Sequence, residues 1–444
     1  MKLGSARTRR PLRLLAPVVA AALAVAACAP PGAESGTGAE SAGGENVPVG
    51  AGTAAYAEAL ADMEPVTLLF GGHTTGPGTG TVDAYVEYSN LVTQMSGGKI
   101  TFEHDYAGAK VSLDKMADGL GQGRVDLGMY IPAYQPDEWP VANAIGGMSI
   151  YGQPHPISGR MAAFAAQAEF GQTFAPLQAE GEALGVFSLY PLYTPSHDVK
   201  LQCRGPAPTS LAELQGKRVR VSSPSYVPLA ETLGMTPVSL VIGELFQGLQ
   251  RGVVDCAVNS IGAHLTGGYV DVVDSWVFGT QPAGDFGETP TGFGMSRDRW
   301  EQLPLAAQQL LWDTQPQMLE MMMRAAYGDI VESMQVSRDG GMELAEFDPE
   351  TTRAIEAYYS QAEEEGAAEL EAQGLTDDGT AAVEQHKALY DKWWRIVTEE
   401  LGYPADTSWL TVADFDVANL DLKPFVDRFY EEILLPRRPG QEGS

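Results

Sequence analysis

Short apolar runs alternate with helix-patterned stretches along the first half of the chain. Residues 66–70 form a strand-like run, which a turn rich in Gly and Thr follows. Apolar residues then recur at helical spacing between 82 and 92, which predicts a helix. Residues 100–102 and 125–130 resemble further strands, with a helix between 113 and 123. This alternation predicts an α/β domain with a parallel sheet.

A second series of the same kind lies between about residues 197 and 260, and the chain then becomes helical. Gly234 follows a helical stretch of this series, as a glycine at the C′ position does. Beyond residue 300, helical patterns cover residues 303–336 and 350–402. The first of them contains a cluster of methionines, which is more typical of a core than of a cofactor site.

The N-terminus has the order of a secretory signal peptide. Lys2 and four arginines precede an apolar run at residues 14–27. That run is shorter than the roughly 20 residues that a membrane span needs, so residues 1–27 are predicted to be a signal peptide. Residues 25–28, VAAC, resemble a bacterial lipobox, which implies that Cys28 is lipidated. Residues 8–13 loosely resemble a twin-arginine signal, so the export route stays open.

A flexible linker is predicted after the lipidated cysteine. Residues 29–54 consist mostly of Gly, Ala, Ser and Pro without an apolar period, a composition typical of flexible tethers. Lipid anchor and linker together are assigned to residues 28–62.

The chain has 28 Lys and Arg against 58 Asp and Glu, a net charge of −30. This charge argues against nucleic acid as a partner and makes a covalent membrane anchor physically reasonable.

The cysteine count leaves two thiols for the folded part. The chain has three cysteines, and if Cys28 is lipidated, Cys203 and Cys256 remain. Two cysteines in an oxidising compartment suggest one disulfide. The alternative is a pair of buried thiols that never meet.

The sequence contains partial matches to several enzyme motifs, but none of these matches is complete. The glycine-rich turn at residues 76–80 lacks the GxGxxG spacing of a dinucleotide site. Lys99 is not followed by the Ser or Thr of a P-loop, and Val258 breaks a nucleophile elbow around Ser260. The six histidines are scattered without zinc-like spacing. The sequence therefore predicts neither an enzyme nor a protein with a cofactor or a metal.

The most specific pattern lies between residues 211 and 260. It contains ELQGKRVRV at 213–221, LGMTPV at 233–238 and GELFQGLQRGVVD at 243–255. These segments and their spacing resemble the dicarboxylate-receptor family, the solute-binding proteins of tripartite ATP-independent periplasmic (TRAP) transporters. Weaker similarity extends the resemblance from residue 63 to about residue 400.

The resemblance implies an α/β fold of two lobes joined by a hinge and a long connecting helix, like other periplasmic binding proteins. Lobe I would comprise residues 63–196 and 281–325, and lobe II residues 197–280 and 326–434. Residues 435–444 are expected to form a disordered tail. The implied function is an extracytoplasmic receptor that closes on a small organic acid and delivers it to a TRAP permease in the membrane.

The family's marker arginine falls on Arg220, which would pair with the ligand carboxylate because a guanidinium offers a planar fork. Arg218, two residues earlier, points to the same strand face and could assist. The family's ligand-binding asparagine falls on Asn259. The strand with Cys256 should then run beside the segment with Cys203, which favours the disulfide.

Other candidates come from strand ends, where open α/β sheets bind ligands. His73 follows the first strand, and Tyr130 and Tyr134 lie at the end of the strand at 125–130 and after it. Phe286 lies where the chain would cross back to lobe I.

The chain also departs from the family pattern. No arginine stands at residues 194–200, where many members have a second one, although Lys200 or His197 could substitute. Ile242 occupies a position that is often aromatic. Two other functions stay open: a binding protein of an ATP-driven transporter or sensor system, and a secreted hydrolase.

Overall fold

Two β-sheets, each with helices packed on it, organise the folded chain. The computed structural model describes residues 46–441 apart from 74, 147–154, 191–197, 280–285, 287–288 and 290. The predicted signal peptide, Cys28 and the first part of the linker lie outside these residues. Within the described part, no helix is both long and apolar enough to cross a membrane.

The first sheet has five strands in the order β2-β1-β3-β10-β4. In β1 the alternate residues Leu68 and Phe70 are fully buried, as expected for a strand with one face on the core. β1 lies parallel to β2 and β3, whereas β10 runs antiparallel between β3 and β4. The strands are β1 Val66–Gly71, β2 Ile100–His104, β3 Leu127–Tyr130, β4 Val186–Tyr190 and β10 Gly292–Ser296.

The second sheet has six strands in the order β11-β9-β5-β8-β6-β7. β6 is parallel to both β7 and β8, while β5 is antiparallel to β8 and β9. The strands are β5 Val199–Cys203, β6 Arg218–Val221, β7 Thr236–Ser239, β8 Cys256–Ser260, β9 Ser275–Phe278 and β11 Glu343–Glu346.

Helices cover both sheets and form most of the C-terminal third. They are α1 Thr53–Ala59, α2 Gly80–Met95, α3 Met116–Gly121, α4 Pro140–Gly146, α5 Ser158–Thr173, α6 Ala175–Ala183, α7 Leu211–Leu214, α8 Val227–Thr232, α9 Ile242–Gln250, α10 Ala263–Thr266, α11 Arg297–Gln302, α12 Leu305–Asp313, α13 Gln315–Asp339, α14 Pro349–Ala372, α15 Gly379–Arg395 and α16 Lys423–Phe429.

The strands of the chain pass between the sheets three times, after β4, after β9 and after β10, and each sheet with its helices forms one lobe. The predicted two-lobe α/β fold is confirmed. The connecting helix is α13, which packs against α2 of the first lobe and α10 of the second. The helical pattern at 303–336 is two helices rather than one, α12 and α13, because Pro304 precedes α12 and Pro316 lies in the first turn of α13.

Both ends of the folded part are ordered, contrary to the sequence-based expectation. Tyr56 in α1 is fully buried, so residues 46–62 are not a flexible linker. Arg438 is buried too, so residues 435–441 are not a disordered tail. The Arg438 guanidinium binds both carboxylate oxygens of Asp313 at 2.8 Å and donates to the Val47 carbonyl at 2.7 Å. Such tertiary pairs leave no periodic signal in a sequence.

The C-terminal helices also differ from the expected division of lobes. α15 packs on α5 of the first lobe. There Lys392 Nζ and Trp393 Nε1 lie 2.9 Å and 2.6 Å from Glu169 Oε2. The assignment of this part of 326–434 to lobe II is therefore wrong. An amphipathic helix predicts that one face is buried but not which lobe covers it.

The predicted disulfide is confirmed between Cys203 and Cys256. The two residues face each other directly in the antiparallel pair β5–β8, with Cα atoms 4.0 Å apart. The bond thus ties β5 to β8 at the end of the strand pair remote from Asn259.

Removing this disulfide should destabilise the protein. The bond spans 53 residues, for which chain entropy predicts about 4 kcal/mol, with 2–4 kcal/mol typical of measurement. We expect Cys203→Ala/Cys256→Ala to lower the free energy of unfolding in urea by about 2–4 kcal/mol. Reductant should destabilise the parent but leave the double variant unchanged. Equal urea midpoints for parent and variant would contradict the prediction.

Candidate ligand-binding site

Arg220 lies in β6, between β8 and the edge strand β7 of the second sheet, and backbone carbonyls hold its guanidinium. The strand β6 starts exposed at Arg218 and is buried from Val219 onward. Nε of Arg220 donates to the Leu240 carbonyl at 2.9 Å, and Nη1 donates to the Val258 carbonyl at 3.0 Å. These carbonyls belong to the ends of the neighbouring strands, so the sheet order fixes the direction of the guanidinium.

Three tyrosines surround the Arg220 guanidinium. Tyr226 and Tyr269 come from the second lobe, whereas Tyr134 comes from a single 3₁₀ turn of the first lobe, Pro132–Tyr134. Burial raises the pKa of Tyr134, whereas the charge of Arg220 and the backbone of Ile242 act to lower it, which places the Tyr134 hydroxyl near both groups. Burial lowers the pKa of Arg220, and the tyrosines oppose that shift. Because the ordinary pKa of arginine is so high, the side chain stays cationic.

Arg220 is available to an anionic ligand. Only 2% of the residue is exposed, and no carboxylate of the described chain forms an ion pair with it. A guanidinium has five N–H donors, so the two carbonyls and Tyr134 leave further donors. Arg218 does not assist, since it is exposed and forks onto Asp255 at 2.7 Å and 3.0 Å.

Asn259 is close to Arg220 in the sheet. Arg220 pairs in register with Ala257, two residues before Asn259 on β8. The Asn259 side chain is buried, and its Nδ2 has no hydrogen-bond partner among the described residues. Lys200, opposite Asn259 in β5, points elsewhere: its Nζ donates to the Val199 carbonyl and lies 4.6 Å from the centre of the Trp409 ring. His197 lies outside the described residues.

His73 contributes to a cavity of about 230 Å³ between the two sheets and α13. Gly72, just before it, has a φ of +83°, and a Cβ there would lie 2.5 Å from the Met129 carbonyl. Only glycine fits this turn. The polar residues of the lining include His73, Arg160, Asp198, Ser260, Thr266 and Asp329.

The remaining two candidates face other surroundings. Tyr130 is not brought to the Arg220 cluster: its hydroxyl lies 3.0 Å from Ser188 Oγ, and its ring packs on Trp139 in the core of the first lobe. The neighbouring residue Met129 lines the cavity instead, because successive strand side chains point to opposite faces. Phe286 is buried with its ring edge-on to Tyr226, behind the Arg220 cluster.

Sequence reasoning missed the charged residues of the cavity. Arg160 lies in α5, Asp198 just before β5, and Asp329 in the middle of α13. Burial, followed by the negative charges of Glu332 and Asp198, raises the pKa of Asp329 to about 6, while Arg160 opposes the shift. No motif connects these three positions, which are far apart in the chain. In the sequence, the one available signal for this site was a charged residue, Asp329, in the stripe of α13 that is otherwise buried.

The fold and the cleft between the lobes define a two-lobe solute-binding protein. Residues 207–368 match the model of the DctP family, bacterial extracellular solute-binding protein family 7. This match over part of the chain, together with the fold, confirms the resemblance that the sequence carried.

Solved TRAP solute-binding proteins share the fold. One from a marine metagenome, specific for aromatic acid ligands and solved with 3-hydroxybenzoate, is 19% identical and covers 74% of this chain and 99% of its own, with a TM-score of 0.63. A second, from Rhodoferax ferrireducens with copurified benzoate, is 17% identical over 74% and 99%, with a TM-score of 0.64.

A third similar structure is a sugar acid binding protein from Advenella mimigardefordensis in complex with galactonate. It is 16% identical, covers 75% of this chain and all of its own, and has a TM-score of 0.61. At such identities the structures establish the fold of this chain.

His73 should make the protein less stable in acid. Burial, then the neighbouring His104, lowers the pKa of His73 to about 4, below the roughly 6.5 of an unfolded histidine. Above pH 6.5 both states are neutral and His73 contributes nothing to the pH dependence. Between pH 6.5 and 4 only the unfolded state gains the proton, so up to roughly 3 kcal/mol of stability is lost.

We therefore expect the free energy of unfolding to fall less steeply from pH 7 to pH 4 in His73→Gln than in the parent. His155→Gln is a matched control because His155 lies outside the cavity lining. Identical pH profiles for His73→Gln and the parent would refute the prediction.

Proposed function

We propose that this protein is the receptor of a TRAP-type secondary transporter, which captures a small organic acid outside the cytoplasm by closing its lobes. The ligand carboxylate pairs with Arg220, and Asn259 donates a second hydrogen bond through Nδ2. The loaded receptor then delivers the acid to a membrane permease. The observation that carries the proposal is a buried guanidinium at the lobe interface with no carboxylate partner in the described chain.

The electrostatics suit a carboxylate in a strongly acidic protein. A buried cation is costly unless an anion or several hydrogen bonds compensate it. Two backbone carbonyls only partly compensate Arg220, and a bidentate carboxylate would complete the pairing. The relatives solved with benzoate and galactonate bind acids, which supports the same ligand class here.

The position of Tyr134 supports closure. It belongs to the first lobe, yet its hydroxyl is near enough to Arg220 and the Ile242 backbone of the second lobe for both to affect its pKa. A ligand that interacts with Arg220 and Tyr134 together would stabilise the closed arrangement. The permease would then recognise a surface that exists only when both lobes have closed.

Replacing Arg220 should weaken acid binding selectively. Arg220→Lys keeps the charge but loses the planar fork, and hydrogen bonds to charged groups contribute about 1.5–3 kcal/mol each. We expect at least a tenfold rise in Kd for the best organic acid, measured by titration calorimetry after a thermal-shift screen. Ligand at 100 times Kd should stabilise the parent by about 2.7 kcal/mol.

Arg218→Lys is the matched control, because Arg218 lies on the same strand but is exposed and paired with Asp255. Its affinity should equal that of the parent. Melting temperatures without ligand separate a binding defect from a folding defect. Equal loss of affinity in both variants would contradict the role of Arg220.

We further propose that a lipid on Cys28 anchors the receptor at the outer side of the membrane. The observation behind this is the VAAC segment at residues 25–28, directly after an apolar run.

Cys28→Ala should leave the receptor folded but release it from membranes. The expected result in expressing bacteria is a shift from the membrane pellet to the soluble extracytoplasmic fraction, with unchanged acid binding. Cys203→Ala/Cys256→Ala controls for the loss of other cysteines and should stay in the pellet. If Cys28→Ala sediments with membranes as the parent does, the anchor is wrong.

A further inference from the structure

The cavity beside the Arg220 cluster has an excess of negative charge. It lies where the end of β1, the end of β8 and α13 meet, and its volume is about 230 Å³. Ligand pockets in proteins begin at roughly 300 Å³, so this cavity suits one small chemical group. Its polar wall contains the carboxylates of Asp198 and Asp329 and the guanidinium of Arg160.

Asp198 has a carboxylate oxygen that is ready for a donor. The residue is 1% exposed, and its Oδ2 accepts hydrogen bonds from Ser260 Oγ at 2.7 Å and from the Gly262 N–H at 2.8 Å. Its Oδ1 is buried without a hydrogen-bond partner among the described residues. An ionised carboxylate can only accept, and leaving such an atom buried and unsatisfied is costly. The complementary ligand group must therefore donate.

The charge balance specifies the donor further. Asp329 faces the same cavity, and the negative charge of Asp198 helps to raise its pKa. Arg160 compensates for one of the two carboxylates, and burial keeps His73 neutral near pH 7. One more positive charge would make the cavity neutral. A protonated amine supplies both that charge and three N–H donors.

The cavity and the Arg220 cluster adjoin along β8. Arg220 donates to the carbonyl of Val258, and the cavity wall includes Ser260, two residues further on. Two residues of a strand span about 7 Å. One ligand of a few carbon atoms can therefore reach both places.

We propose that this cavity is an ammonium-binding subsite and that the preferred ligands are small zwitterions. Such a ligand is an acid with a protonated amino group several bonds from its carboxylate. The carboxylate pairs with Arg220 and the ammonium group donates to Asp198 Oδ1, with Asp329 close by. The inference rests on the proposed function for the carboxylate end, whereas the ammonium end depends only on the cavity.

A double-mutant cycle between ligand and protein tests the subsite. Calorimetry compares 4-aminobutyrate, 5-aminopentanoate and 6-aminohexanoate with the same acids without the amine and with 4-hydroxybutyrate. We expect at least one amino acid of the series to bind the parent ten times more tightly than the plain acid, which is the same compound without the amine. Asp198→Asn should remove this preference, so that the variant binds each amino acid no more tightly than the corresponding acid without the amine.

Two further variants keep the test decisive. Asp329→Asn should reduce the preference for the amino compound in the same direction, which covers the case that Asp198→Asn fails to fold. Asp339→Asn is the matched control on the same helix, since Asp339 is exposed at the end of α13. It should bind every ligand as the parent does.

Several outcomes would overturn the subsite. Equal affinity for amino acids and plain acids does so, as does tighter binding of 4-hydroxybutyrate than of 4-aminobutyrate. Stabilisation by an inorganic cation alone that Asp198→Asn removes would make the cavity a metal site instead.

A different result would show that the proposed function is wrong while the ammonium subsite is right. In that case butylamine, which has no carboxylate, would bind in a manner that depends on Asp198 but not on Arg220. If no amine or amino acid stabilises the parent while plain acids do, the receptor stands and the ammonium subsite is wrong.

Discussion

A cationic side chain buried between two lobes constrains this structure more than any other single feature. The Arg220 guanidinium is hydrogen-bonded by the carbonyls of Leu240 and Val258. Both carbonyls must lie beside β6, which requires β7 and β8 to be its neighbours in the sheet. The strand order β8-β6-β7 at one side of the sheet is therefore also the arrangement that fixes the direction of the guanidinium.

The same charge explains how the lobes meet. Tyr134 belongs to the first lobe, yet its hydroxyl is near Arg220 and the Ile242 backbone of the second lobe. Polar groups of both lobes therefore come together at a place where a ligand could also interact with them. A ligand that binds one arrangement of the lobes better than another shifts the balance between open and closed states.

Away from the cleft, several tertiary contacts stabilise the fold. α13 packs against both lobes, and the buried pair Arg438–Asp313 ties the C-terminus to the segment around Val47 and Tyr56. Removal of one partner from a buried ion pair of this kind strongly destabilises a protein, because the other charge is left buried without compensation. The disulfide between β5 and β8 stiffens the sheet that bears Asn259.

Local pattern determined much of the fold before any coordinates. The alternating runs around residues 66–130 predicted the strands and helices of the first lobe, because the periods of strand and helix differ and are visible over a few residues. The motif around Arg220 carried the family resemblance, which the partial family match supports. The ligand-binding roles of Arg220 and Tyr134 stay predictions.

Tertiary structure decided what depends on distant residues. Asp198, Asp329 and Arg160 line one cavity, although no sequence spacing relates them. The Tyr130 side chain packs in the core because its position in β3 places it on the buried face of the strand. Tyr56 and Arg438 are held by Asp313, which is 257 and 125 residues away along the chain. Sequence alone determined many of the elements and the family resemblance, since these follow from short-range patterns. The lobe that each helix covers and the charges of the cavity required the folded chain, because burial and electrostatics depend on distance in space.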